Sequence, residues 1–145
     1  MDEDGKWYSA SFVVTSTTLT PEEIERRLGY APTRVHHMGD PVSPRHPSSA
    51  HAHKYHYYGL HSGLRGSQEM QAHLEALLSR LEAKAEAVAG LSGEASVSFW
   101  CGFSSGNGQG GFSLSPSILQ RLAQLGVEVT LDLYPPEGLP SKHAV

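Results

Sequence analysis

The chain has a single cysteine, Cys101, which excludes an internal disulfide and a cysteine-rich zinc site and suits a reducing compartment. No apolar run comes near the roughly 20 residues that a membrane-spanning helix needs. The first residues, MDEDGKW, lack the charged-then-apolar pattern of a secretion signal. Basic charge is also scarce: eleven Lys and Arg stand against fifteen Asp and Glu, a formal net charge of −4 over 145 residues. Small basic groupings such as Arg26–Arg27 form no stripe. A general nucleic-acid binder needs a concentrated basic face, so that class is set aside. The expectation is one cytoplasmic domain over 1–145, long enough to bury a core without staples.

What is present is a local pattern written twice. LTPEEIERRLG (19–29) and LSPSILQRLAQLG (114–126) each place a hydroxyl residue, Thr20 or Ser115, directly before a proline, Pro21 or Pro116, ahead of an apolar helical stripe. The hydroxyl can cap orphan N–H groups, and proline at the first helical position gives up an N–H that had no partner. The spacing predicts a helix over Pro21–Leu28 with Ile24 and Leu28 buried, and a second with Ile118, Leu119, Leu122 and Leu125 inward; Gly29 and Gly126 end them. A third and longest helix is predicted over 68–89, opened by Ser67, with Met70, Leu74, Leu77, Leu78, Leu81, Ala85 and Val88 as its stripe.

Strand patterns fill the intervals. In YSASFVVT (8–15), Tyr8, Ala10, Phe12 and Val14 face one way. In EASVSFWCGF (94–103), Ala95, Val97, Phe99, Cys101 and Phe103 do so. In VEVTLDLY (127–134), Val127, Val129, Leu131 and Leu133 are predicted inward. Shorter strands are predicted over 33–37, 55–62 and 112–114. The order β-α-β-β-α-β-β-α-β gives an α+β fold, a mainly antiparallel sheet of about six strands with three helices on one face. The ordered core is expected over about 7–134, with 39–53 a Pro/His-rich loop and 135–145 a flexible tail. The other sheet face, bearing Ser9, Ser11, Ser96, Ser98, Trp100, Glu128, Thr130, Asp132 and Tyr134, is left open and is the place to look for a binding surface.

Seven of nine histidines fall between His36 and His61. On an extended segment His51 and His53 share a face, and with His56 they form the candidate metal set, with His61 as a further ligand. The segment has no acid at a fixed offset and no rigid second shell, so the plainer reading is a solvent-exposed histidine-rich loop. No cofactor is expected, and zinc or nickel would be adventitious. GNGQGG (106–111) reads as a strand-to-strand loop rather than a phosphate cradle, which would run into a helix and be followed by a lysine. Cys101 reads as a buried, inert thiol.

The segments YSASFVVTSTTLTPEEIERRLGYAPTRVHHMGD (8–40) and GGFSLSPSILQRLAQLGVEVTLDLY (110–134), with an amphipathic helix between them, resemble a bacterial family known as domain of unknown function 4279. The shared pattern is a strand, Leu-Thr-Pro-Glu, a helix and a Gly-Asp pair, then Gly-Phe, Leu-Ser-Pro, a helix and a strand ending in Tyr. The family usually has a tryptophan after the Gly-Asp loop, where this chain has Tyr55, Tyr57 and Tyr58. The resemblance implies a small α+β domain without assigned catalytic residues, and some relatives look like immunity proteins that neutralise a toxin. Residues and resemblance together give a non-enzymatic interaction domain, with Trp100, Tyr134, Asp132 and Tyr58 as partner-binding residues and a protein, in the immunity case a toxin, as partner. Neither nucleic acid nor membrane is expected as a partner. The alternative is a histidine-based metal-binding module or metal-dependent enzyme using His51, His53 and His56.

Overall fold

A computed structural model describes residues 5–43 and 51–134. The expected tail 135–145 and the middle of the expected loop, 44–50, lie outside the described residues. Five strands, β1 (Trp7–Ser16), β2 (Arg34–His36), β3 (His56–His61), β4 (Ser96–Ser104) and β5 (Glu128–Tyr134), form one sheet in the order β2-β3-β1-β4-β5. The helices are α1 (Pro21–Leu28), α2 (Met70–Leu81), α3 (Ala85–Ser92) and α4 (Pro116–Leu125). β3 and β4 both run antiparallel to β1, and β2 runs antiparallel to β3. β1-α1-β2 is therefore a split β-α-β unit with β3 inserted between its strands.

The twice-written pattern forms as its chemistry requires. Thr20 accepts a hydrogen bond from the Glu23 N–H at 3.2 Å, Ser115 accepts one from the Ile118 N–H at 3.2 Å, and both prolines sit in the first turn. Gly29 and Gly126 close the two helices in the left-handed conformation. Ile24 and Leu28 of α1 are fully buried, as are Leu74, Leu77, Leu78 and Leu81 of α2. These side chains meet Ala10, Phe12, Val14, Tyr58, Leu60, Phe99 and Cys101 in one core on the helix side of the sheet. Phe12 and Phe99, directly opposite each other on β1 and β4, sit with ring centroids 5.5 Å apart. Burying Cys101 pushes its thiol up to about 11, which leaves it inert.

Several expectations need correction. Among the described residues the sheet has five strands, not about six, and it is mixed. Residues 112–114 form no strand, and the place beside β4 that they were expected to take is held by β5. β5 returns to β4 through α4, and a strand that follows such a crossover lies parallel to its neighbour. The glycine-rich loop thus runs from β4 towards the N-terminus of α4, not from strand to strand. The long helix is interrupted by a tight 3-10 turn at Glu82–Lys84, where Lys84 takes φ −120° and ψ 30°. No proline or glycine marks that break, so the sequence carries no signal for it. Finally, Ser67 does not cap α2: Glu69 is the boundary residue and makes no side-chain cap bond.

The inward stripe expected on β5 is the largest departure. Val127 is buried, but Val129, Leu131 and Leu133 are 37%, 56% and 66% exposed. They stand on the helix side, level with Phe99, Cys101 and Phe103. Yet α4 packs chiefly on α2 and α3, and among the described residues no helix packs substantially on β5. Similarly Leu119, expected in the α4 stripe, is 51% exposed.

Replacing Thr20 or Ser115 by Ala is expected to cost about 1 kcal/mol each in urea unfolding. Ser67→Ala should stay within about 0.5 kcal/mol; an equal loss at Ser67 would contradict the cap assignment.

Candidate functional site

The face of the sheet away from the helices forms a trough of about 950 Å³. The strand register shows its construction as rows running across the sheet. One row crosses all five strands: Arg34, Gly59, Val13, Ser98 and Glu128. It carries a cation at one end, a carboxylate at the other and only small or medium side chains between. The next rows read His61, Ser11, Trp100, Thr130 and then Ser9, Gly102, Asp132. Hydroxyl-sized residues on alternate positions of β1 and β4 make the floor, and aromatic rings stand at both ends of the strands.

Glycine makes room for those rings. A Cβ at Gly59 would lie 2.8 Å from the Tyr57 ring, so this ring rests directly on the β3 backbone. A Cβ at Gly102 would lie 2.5 Å from Ser9 Oγ, 3.3 Å from the Trp7 ring and 3.4 Å from the Tyr134 ring. Trp7 and Tyr134 meet edge to face above Gly102 with centroids 6.0 Å apart. At the opposite end the Arg34 guanidinium lies 5.5 Å from the Tyr57 ring centre, His36 stacks on Tyr57 at 5.1 Å, and His53 stacks on His36 at 3.4 Å. The result is a bare polar floor between two aromatic ends, with Trp100, 41% exposed, rising from the middle.

The electrostatics span the trough. Tyr134 is held protonated, its phenol raised first by a hydrogen bond to the Asp132 carboxylate and then by burial; Arg34 and Tyr57, on the far strands, also act on it. Burial raises Tyr57, and Arg34 opposes that shift. Burial lowers His36, helped by His53 and Arg34, and lowers His61, helped by Arg34. Both imidazoles are thus held towards the neutral form. Arg34 marks the cationic rim, and Glu128 with Asp132 the anionic one.

Three of the four expected partner-binding residues, Trp100, Asp132 and Tyr134, line this trough. Tyr58 does not. It is fully buried on the helix side, its hydroxyl donates to the Tyr30 carbonyl at 2.6 Å, and burial raises its phenol far above the ordinary range. Alternation on β3 puts Tyr57, not Tyr58, on the open face.

The expected metal set is not brought together. His53 stacks on His36 on the open side. His56 stands on the helix side of β3 and accepts a hydrogen bond from the Met38 N–H at 3.0 Å. His51 is exposed and pairs through its carbonyl with the Val42 N–H. Among the described residues no group of three His, Cys, Asp or Glu is arranged to hold an ion. His37 is tied instead to Glu22, at 2.6 Å.

The sequence reading missed Trp7, Arg34 and Tyr57, which complete the trough, and a buried pair beside it. Extending the β1 alternation by one residue would have found Trp7. The pair joins Ser62, at one end of the trough, to His73 of α2, with Oγ and Nδ1 2.6 Å apart and both residues at least 95% buried. The Ser62 hydroxyl also accepts from the Leu64 N–H, while His73 Nε2 is buried without a partner. Burial lowers His73, against the pull of the Gln68 and Arg65 carbonyls. The pair fastens α2 to the end of β3.

Residues 6–136 match the family described as Domain of unknown function (DUF4279), and the chain belongs to that family. No curated protein and no solved structure matches it. No helix among the described residues is long and apolar enough to cross a membrane.

His36, His61 and His73 are all lowered in the folded state. The unfolded chain then binds protons that the folded chain resists, so stability is complete above the ordinary histidine value near ~6.5 and declines as pH falls below it. Urea midpoints should drop between about pH 7.5 and about pH 5.5, and His73→Gln should flatten that slope. A midpoint unchanged over this window would contradict the burial of these rings.

Proposed function

We propose that this member of a family without an assigned activity is a non-enzymatic interaction domain that receives a protein partner in the open-face trough. The observation that carries the reading is the trough itself: exposed Trp100 and Tyr134 stand over a floor of hydroxyl residues, between a cationic rim and an anionic rim. Aromatic side chains set among polar groups anchor interfaces because they bury large area at small entropic cost. Opposite charges on the two rims would fix a partner's orientation. Two nucleophilic side chains of the core are closed to a substrate. The Cys101 thiol is buried and raised, and Ser62 is sealed against His73.

In its specific form the proposal is an immunity-type protein acting in the cytoplasm, which covers and neutralises a toxin. A net charge of −4 favours encounter with a basic toxin. Histidine-based metal chemistry, the alternative expectation, has no supporting geometry among the described residues.

Co-expression with the product of a neighbouring toxin gene is expected to restore growth. Trp100→Ala should weaken the complex by about 2 kcal/mol or more while leaving the unfolding midpoint near that of the parent. Rescue undiminished in a Trp100→Ala/Asp132→Lys variant would remove the trough from the interface.

A further inference from the structure

The two edges of the sheet are built differently. β2 is only three residues long and carries Arg34, two of the devices that keep an edge from pairing with other strands. β5 has neither. Its seven residues, EVTLDLY, include no lysine, proline or glycine, and they pair with β4 in unbroken register from Ser98–Glu128 to Ser104–Tyr134. Its outer edge has no partner strand among the described residues. Its helix-side residues Val129, Leu131 and Leu133 are exposed with no helix packed substantially on them. A seven-residue edge without a bulge and with one uncovered apolar side is a template for another strand.

The apolar alternation of β5, Val129, Leu131 and Leu133, is symmetric about its central residue and so matches a strand of its own sequence, while its two carboxylates set the register. We infer that β5 pairs antiparallel with β5 of a second copy of this chain, about a two-fold axis at Leu131, joining the two sheets into one. With the axis perpendicular to the sheet, both helix layers stay on one side and each residue faces one of its own side of the sheet. Placed on Leu131, the axis sets Glu128 opposite Tyr134, Val129 opposite Leu133 and Thr130 opposite Asp132, and uses every residue of the strand. Moving it to Thr130 would set Glu128 opposite Asp132 twice. Moving it to Asp132 would set two carboxylates face to face. Like charges directly opposite are destabilising, so both shifted registers are disfavoured. In the Leu131 register the three exposed apolar residues of each copy meet those of the other. Proline follows at 135 and 136, and proline has no N–H to extend the ladder.

Sedimentation velocity on the full chain tests this over a wide range of concentration. The parent is expected to dimerise reversibly. Leu131→Lys, which sets two ammonium groups together at the axis, should be monomeric with an unchanged circular dichroism spectrum. Thr130→Lys places a cation opposite the second copy's carboxylate at two symmetric positions and should lower the dimer Kd about tenfold. Thr130→Asp should raise it about tenfold. A parent that stays monomeric at the highest concentration overturns the inference. So does a dimer that Leu131→Lys leaves intact, or one whose Kd moves the same way in both Thr130 variants.

Discussion

The fold hangs on the alternation of one strand. β1 is the longest strand and the centre of the sheet, paired with β3 on one side and β4 on the other. Its even positions, Tyr8 to Val14, are buried against the helices; its odd positions, Trp7 to Thr15, line the trough. Because the side-chain period of a strand is two, a slip of one residue would bring serine into the core and phenylalanine into the trough. The same alternation is repeated on β4, with Phe99 against Phe12 on one side and Ser98 beside Val13 on the other. Core and trough are therefore two consequences of a single register.

A sheet face left without helices would ordinarily be a flat wet surface. Here rings stand at both ends of the strands, while the floor between them carries small side chains except at Trp100. Gly59 lets the Tyr57 ring lie on the backbone, where a methyl group would collide with it; at Gly102 a methyl group would collide with Ser9 Oγ and crowd the Trp7 and Tyr134 rings. Charge is separated in the same way, with Arg34 on β2 and Glu128 and Asp132 on β5, the two outermost strands. The trough thus depends on residues distant in sequence, and the strand order alone makes them neighbours.

This explains which parts could be read from the chain. The caps at Thr20 and Ser115, the stops at Gly29 and Gly126, and the inward faces of β1 and β4 are local facts, and they stand as read. Trp100, Asp132 and Tyr134 were legible as members of an open face because alternation reports sidedness. Tyr58 was misplaced because aromatic character says nothing about side, whereas its position between Tyr57 and Gly59 does. Arg34 belongs to a three-residue strand too short to show a period. His73 occupies a core position on α2 and has no signal except its place in the apolar stripe, where a histidine reads as an interruption. The histidine run 51–56 drew attention by composition, but the fold divides its rings between two sides of β3.

The repeat shows most clearly where local information stops. β1-α1-β2 and β4-α4-β5 are written in the same code, hydroxyl, proline, apolar stripe and glycine, and both helices form as that code dictates. Their strands nevertheless go to different places. β2 cannot lie beside β1, whose two edges are taken by β3 and β4, so it pairs with β3 at the rim. β5 finds the free edge of β4 and lies against it in parallel. α1 then sits over β3 and against α3, within the helix layer. α4 instead leans on α2 and α3, with Ile118, Leu122 and Leu125 in the core and Arg121 paired with Glu75 and Glu82 at the surface. That leaning leaves the outer strand of the second unit uncovered. The apolar stripe of β5 has the pattern of an inward face, and the fold as it stands supplies no inside for it.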